Sequence, residues 1–140
     1  MNDLYGEILL DHYRLPRNKG KLADETHSAD GVNPLCGDEL TLHLKLENGV
    51  ITDIAFEGKG CAISMASASM LTEDLKGRSV DEVKQRVQQF RLFIREGKEP
   101  EGEPLEDILS LAGVAQLPVR VKCATLPWTT MEEALKSVAK

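Results

Sequence analysis

Leu40, Leu42, Leu44 and Leu46 alternate with Thr41, His43, Lys45 and Glu47, the period of a strand with one buried face. Val50, Thr52, Ile54 and Phe56 repeat that period and predict a second strand with these side chains inward. The runs meet at Asn48-Gly49. A two-residue turn there would set Leu44 opposite Asp53 and Leu42 opposite Ala55, wasting the apolar face. A three-residue loop, Glu47-Asn48-Gly49 with Gly49 left-handed, pairs Leu44 with Thr52 and Leu42 with Ile54, and this is the register expected. Between Leu15 and Leu35 the chain is polar and turn-rich, with a further strand expected near Ser28 to Val32.

Helical spacing takes over elsewhere. Leu4, Ile8 and Leu9 share one face of a segment from Asp3 to Arg14, which Pro16 stops. After Cys61, a Ser/Ala-rich run holding Met65, Ala68, Met70, Leu71 and Leu75 predicts a closely packed helix that stops at Gly77. Ser79 and Glu82 form a capping box in front of the stripe Val80, Val83, Val87, Phe90 and Ile94. An acidic linker from Glu96 to Asp107 reads as solvated surface, overlapping a short helix predicted from Pro104 to Ala112. A last helix is expected to begin between Cys123 and Thr130, with Thr130 and Glu133 as a second capping box before Met131, Ala134 and Leu135. The order predicts an α+β fold: a small antiparallel three-stranded sheet with about five helices packed on one face.

With 140 residues, 41% of them hydrophobic, the chain suits one compact domain, residues 1–140. Seventeen Lys and Arg against 23 Asp and Glu leave a net charge of -6, so neither nucleic acid nor an anionic membrane is an expected partner. Met1 to Leu10 mixes Asp3 and Glu7 with a short apolar run, which argues against a secretion signal or a membrane span and for a cytoplasmic chain. Arg14, Arg17, Lys19 and Lys21 gather positive charge into one loop, either solvated or a docking patch. His12 and His43 are expected to be solvated or locally bonded rather than metal ligands; His27 lies in an unassigned loop. Trp128, the single tryptophan, is expected to anchor the core.

Three cysteines make a disulfide framework improbable and leave metal binding, thiol chemistry or plain burial. Each sits at the mouth of an element. Cys36 lies in Asn33-Pro34-Leu35-Cys36-Gly37-Asp38 before the first long strand, Cys61 in Gly58-Lys59-Gly60-Cys61 between strand and helix, and Cys123 after Val119-Arg120-Val121-Lys122. Antiparallel pairing puts the start of one strand beside the end of its neighbour, which brings Cys36 and Cys61 together, with Asp38 able to present an oxygen. The helix after Cys61 adds its positive end. Three thiolates and a carboxylate so placed can complete a tetrahedral zinc site.

These segments, with Asp11-His12-Tyr13, Pro16-Arg17-Asn18-Lys19-Gly20, Ala62 to Ser69 and Arg120 to Leu126, resemble the SufU/IscU (NifU N-terminal-like) family of iron-sulfur cluster assembly proteins across nearly the whole chain. Lys122 stands where scaffold-type members carry His before the third Cys, and a long insertion separates Cys61 from Cys123, so the likeness is to the zinc-binding SufU branch. The resemblance implies a zinc-dependent sulfurtransferase: Cys36, Asp38, Cys61 and Cys123 match the metal ligands, and Cys36 matches the acceptor of persulfide sulfur. It implies a SufS-type pyridoxal-phosphate cysteine desulfurase as donor and downstream cluster assembly proteins as recipients. The alternative is a scaffold that assembles and hands on a [2Fe-2S] cluster on the same residues. A zinc hydrolase fits poorly, because three sulfurs and Asp38 leave no position for water. A purely structural zinc would make the cysteines essential to folding.

Overall fold

The computed structural model describes residues 3–35, 37–97 and 106–136. Its elements run α1 (Asp3–Arg14), β1 (His27–Asn33), β2 (Asp38–Glu47), β3 (Val50–Lys59), α2 (Ala62–Leu75), α3 (Val80–Glu96), α4 (Glu106–Leu109), a 3-10 turn (Ala112–Gln116) and α5 (Pro118–Lys136). The strands form one antiparallel sheet in the order β1-β2-β3. Leu40, Leu42, Leu44, Ile54 and Phe56 bury its inner face beneath α2, which packs on β3, and α5, which packs on β1 and β2. This is the α+β arrangement that the alternating leucines and the helical stripes predict.

The strand register differs from the expected one. Asn48 and Gly49, with φ of 53° and 77°, form a two-residue loop between the paired Glu47 and Val50. Uncorrected, that loop would put Leu44 opposite Asp53. The ladder instead shifts between Lys45 and Leu46: Leu46 faces Ile51, Lys45 faces Asp53, and Thr52 is the extra residue of a bulge. Leu44 therefore meets Ile54 and Leu42 meets Phe56. Ile51, Ile54 and Phe56 are buried, while Thr52, expected inward, is exposed. The free edge of β3 is covered at both ends. Phe56 N–H donates to Asn18 O at 3.0 Å and Gly20 N–H to Phe56 O at 2.8 Å, while Ile51 N–H donates to Arg78 O at 2.9 Å.

The helices need specific devices to close on this sheet. Alanines and serines keep α2 slim enough to be buried on several sides, and their hydroxyls bond outward. Ser67 Oγ donates to Ala124 O at 2.6 Å and accepts from Trp128 Nε1 at 3.1 Å. Trp128 stacks on Phe90 of α3 with ring centroids 4.1 Å apart, as a core anchor. Ser79 and Glu82 make the predicted capping box of α3. Helix α5 starts earlier than expected, at Pro118, whose fixed φ suits a first helical position, and it continues through Pro127. Thr130 is consequently no cap: it is buried, and its hydroxyl donates to Leu126 O at 2.8 Å. Gly31 makes this packing possible, because a side chain there would strike Thr130 Oγ1. The short helix predicted from Pro104 is seen as α4 and the 3-10 turn; its expected start lies outside the described residues, as do residues 98–105 of the linker.

On the other face, His43 is buried between two carboxylates, with Nδ1 3.2 Å from Glu25 Oε1 and Nε2 2.9 Å from Glu57 Oε2. Desolvation lowers its pKa, but the hydrogen bonds to Glu57 and Glu25 outweigh it and leave the pKa above 6.5. The folded chain thus binds this proton more tightly than the unfolded one. The stabilisation is complete below the unfolded pKa of about 6.5 and is lost as pH rises through the folded value. Replacing His43 by Gln should remove it, so the melting-temperature gap between parent and His43→Gln narrows from about pH 6 to about pH 8.5. Thermal melts at the two pH values check this; a gap independent of pH contradicts it.

Candidate metal centre

The sheet register assembles the site at one end of the strands. Asn33 of β1 is paired with Asp38 of β2, and Glu39 is paired with Lys59 of β3, so the chain leaves β3 at Gly60-Cys61 beside Asp38. Asp38 is wholly buried and its Oδ1 accepts the Cys61 N–H at 2.8 Å. Its other oxygen, Oδ2, lies 4.0 Å from Cys61 Sγ. Cys61 caps α2, its sulfur accepting from Ser64 N–H at 3.5 Å. From the opposite side, α5 brings in Cys123, also wholly buried, whose Sγ accepts from Asn33 Nδ2 at 3.7 Å. One ligand atom each from Asp38, Cys61 and Cys123 lies within 4.8 Å of the other two.

Two sulfurs and one carboxylate oxygen drawn from three elements suit a tetrahedral zinc ion lacking only its fourth ligand. Cys36, expected to supply that ligand and to act as nucleophile, lies outside the described residues. The predicted convergence of strand start and strand end is seen for Asp38 and Cys61. Cys123 differs from expectation: it does not lead into α5 but sits inside it, because that helix begins at Pro118. Burial separates the donors, since Cys61 is part exposed while Asp38 and Cys123 are enclosed, so approach is from the Cys61 side.

Three supporting residues were not legible as such. Asn33 and Ser64 hydrogen-bond the two sulfurs, and Gly60 leaves room for the carboxylate, since a side chain there would meet Asp38 Oδ1 and Ser64 Oγ. Asn33 and Gly60 stand in the motifs around Cys36 and Cys61, but only the fold shows what they touch. The histidines stay out of this group. His43 is held on the sheet's other face, His27 opens β1, and His12 is buried against α2 and α4. In the basic loop Arg17 is engaged by Asp11 at 2.6 Å, while Lys19 and Lys21 are exposed.

The NifU-like N terminal domain matches residues 4–101, a stretch that includes Asp38 and Cys61. The chain belongs to this family. NifU-like relatives extend the match past Cys123: the chain is 41% identical, over all of its length and 92% of the relative's, to the zinc-dependent sulfurtransferase SufU of Bacillus subtilis. It is 39% identical to the iron-sulfur cluster assembly scaffold protein IscU of Thermotoga maritima, over 98% of this chain and 96% of that one. The crystal structure of a protein from Fervidobacterium islandicum AW-1, described as a cluster assembly scaffold for the SUF system, superposes with a TM-score of 0.85 at 36% identity, covering 92% and 94% of the two chains. The NifU-like fold is therefore common to relatives described in both ways.

Gly60→Ala should leave the fold intact and weaken zinc binding by about tenfold or more, because the new methyl displaces Asp38 from the place where the two sulfurs meet it. Competition against a chromophoric chelator measures this, with the melting temperature of the metal-free protein as the folding control. Unchanged affinity would show that the Asp38 carboxylate is dispensable to the ion.

Proposed function

We propose that this chain is a zinc-dependent sulfurtransferase of iron-sulfur cluster assembly, accepting persulfide sulfur on Cys36 from a pyridoxal-phosphate cysteine desulfurase of the SufS type. The observation that carries the proposal is the convergence of Asp38, Cys61 and Cys123 in a chain that matches a zinc-dependent sulfurtransferase along its whole length. Cys36, Asp38, Cys61 and Cys123 would hold the zinc ion, which keeps thiols deprotonated and protected until a partner engages them. Cys36 stands two residues before Asp38, next to Gly37, whose φ of 71° gives the backbone a turn that few other residues adopt.

In the transfer step the Cys36 thiolate attacks the outer sulfur of the persulfide carried by the desulfurase. A new sulfur-sulfur bond forms on Cys36, the old one breaks, and its electron pair leaves on the desulfurase cysteine as thiolate. Electrons balance without an added oxidant. Asn33 and Ser64 hold the sulfurs of Cys123 and Cys61 by hydrogen bonds, which would leave Cys36 as the thiol free to react while the other two held the ion. The sulfur then passes to downstream cluster assembly proteins. The setting is cytoplasmic, where thiols stay reduced; among the described residues no helix is long and apolar enough to cross a membrane.

The second reading, a scaffold for a [2Fe-2S] cluster, is favoured by the likeness to the scaffold protein IscU of Thermotoga maritima. Lys122 beside Cys123 argues for sulfur transfer instead, since an ammonium cannot serve as a ligand there.

The protein as purified should hold close to one zinc per chain. Incubated with desulfurase and cysteine, it should gain the mass of one sulfur atom and speed desulfurase turnover. Cys36→Ser should keep the fold and gain no sulfur, because an alcohol near neutral pH is a poor nucleophile toward sulfur. Elemental analysis, intact-protein mass and a turnover assay read these outcomes. A Cys36→Ser protein that still gains sulfur and stimulates the desulfurase would move the acceptor to Cys61 or Cys123, and stoichiometric iron in place of zinc would favour the scaffold.

A further inference from the structure

A second set of donor atoms gathers away from the thiolate centre, where α1, α2 and α4 meet. His12 is wholly buried, and its Nε2 faces two carboxylates: Asp107 Oδ2 at 2.5 Å and Glu73 Oε1 at 3.9 Å. The three ligand atoms lie within 4.8 Å of one another. Donors sharing one ion at bond lengths of about 2.1 Å stand roughly 3 to 4 Å apart, so small side-chain shifts would bring all three onto a single cation.

The sequence suggests neither the burial of His12 nor its partners, and Asp107 was expected on a solvated linker. The other ring nitrogen explains the orientation. Nδ1 lies 2.8 Å from Ser69 Oγ, and that hydroxyl also accepts the Arg17 N–H at 2.9 Å. An imidazole pinned through one nitrogen, with the other turned toward carboxylates, has the arrangement by which proteins orient a metal-binding histidine. Charge points the same way. Arg17 makes its tighter contact with Asp11 at 2.6 Å and reaches Glu73 only at 3.7 Å, so its charge offsets the Glu73 carboxylate only in part. Those two carboxylates are 38% and 33% exposed while the imidazole forms the floor, so an ion can enter from solvent. A hydrolytic reading of Ser69, His12 and Asp107 fails because Ser69 is wholly buried and cannot meet a substrate.

We propose that His12, Glu73 and Asp107 form a second divalent-cation site, separate from the thiolate centre and suited to a first-row ion with mixed nitrogen and oxygen preference, such as Mn²⁺. Sulfur-rich and oxygen-rich donor sets select different ions, so the two sites are filled independently. Bound there, the ion fastens α4 to α1 and α2, and α4 leads through the 3-10 turn into α5 and Cys123.

The test titrates the purified, zinc-loaded protein with MnCl₂ and reads free Mn²⁺ by electron paramagnetic resonance, with zinc content followed on the same samples. One Mn²⁺ per chain is expected, with zinc retained and a melting temperature that rises with Mn²⁺. Glu73→Gln and Asp107→Asn, at part-exposed positions where the amide keeps the shape, should each weaken binding by about tenfold or more and lose the thermal shift. Absence of stoichiometric binding up to millimolar Mn²⁺, release of zinc in step with uptake, or equal binding by parent and both variants would overturn the proposal. None of these readouts depends on sulfur transfer.

Discussion

The phase of one β-ladder governs the rest of the molecule. A two-residue loop at Asn48-Gly49 fixes where β3 begins against β2, and the extra residue at Thr52 resets the pairing so that Leu44 meets Ile54 and Leu42 meets Phe56. Side chains alternate strictly along a strand, so a slip of one residue would expose the core face and bury the charged one. The same phase sets Glu39 opposite Lys59 and thereby Asp38 beside Cys61. Core and metal centre are two outcomes of one register.

Helix α2 connects most of what that register positions. Its buried hydroxyls each reach a different part of the chain: Ser64 the sulfur of Cys61, Ser67 the backbone and tryptophan of α5, Ser69 the ring of His12, and Thr72 the amide of Asn18. A helix enclosed on several sides cannot leave such groups unpaired, and the pairing gives it a fixed rotation about its axis. The Ser/Ala-rich composition that reads in sequence as close packing is thus also a set of orientation constraints.

Much of the fold was legible because it rests on local patterns. The Asp3 to Arg14 helix, the Ser79-Glu82 capping box and the alternating leucines each carry their signal within a dozen residues. Antiparallel geometry predicts that Cys36 at the start of one strand meets Cys61 at the end of its neighbour; Cys36 lies outside the described residues, and at that junction Asp38 is seen beside Cys61. What escaped depends on contacts distant in sequence. The bulge at Thr52 accompanies burial of Ile51 in the core, and Pro127 blurs where the last helix starts in the sequence although α5 runs through it. His12 reads as solvated or locally bonded, whereas it is buried and its partners, Ser69 and Asp107, lie 57 and 95 positions away. Asn33 is visible as a motif residue, but its bond to Cys123 exists only once α5 has docked on β1.

The position of Cys123 inside α5 separates two kinds of length change. Adding a residue between α4 and Pro118 lengthens a connection and leaves the thiol aimed where it is. Adding one between Cys123 and Trp128 turns the sulfur about 100° around the helix axis relative to the buried face that Trp128 and Met131 hold in the core, away from Asp38 and Cys61. Length can therefore change in the span before Cys123 without re-aiming the thiol, while the four residues between Cys123 and Trp128 are fixed in number.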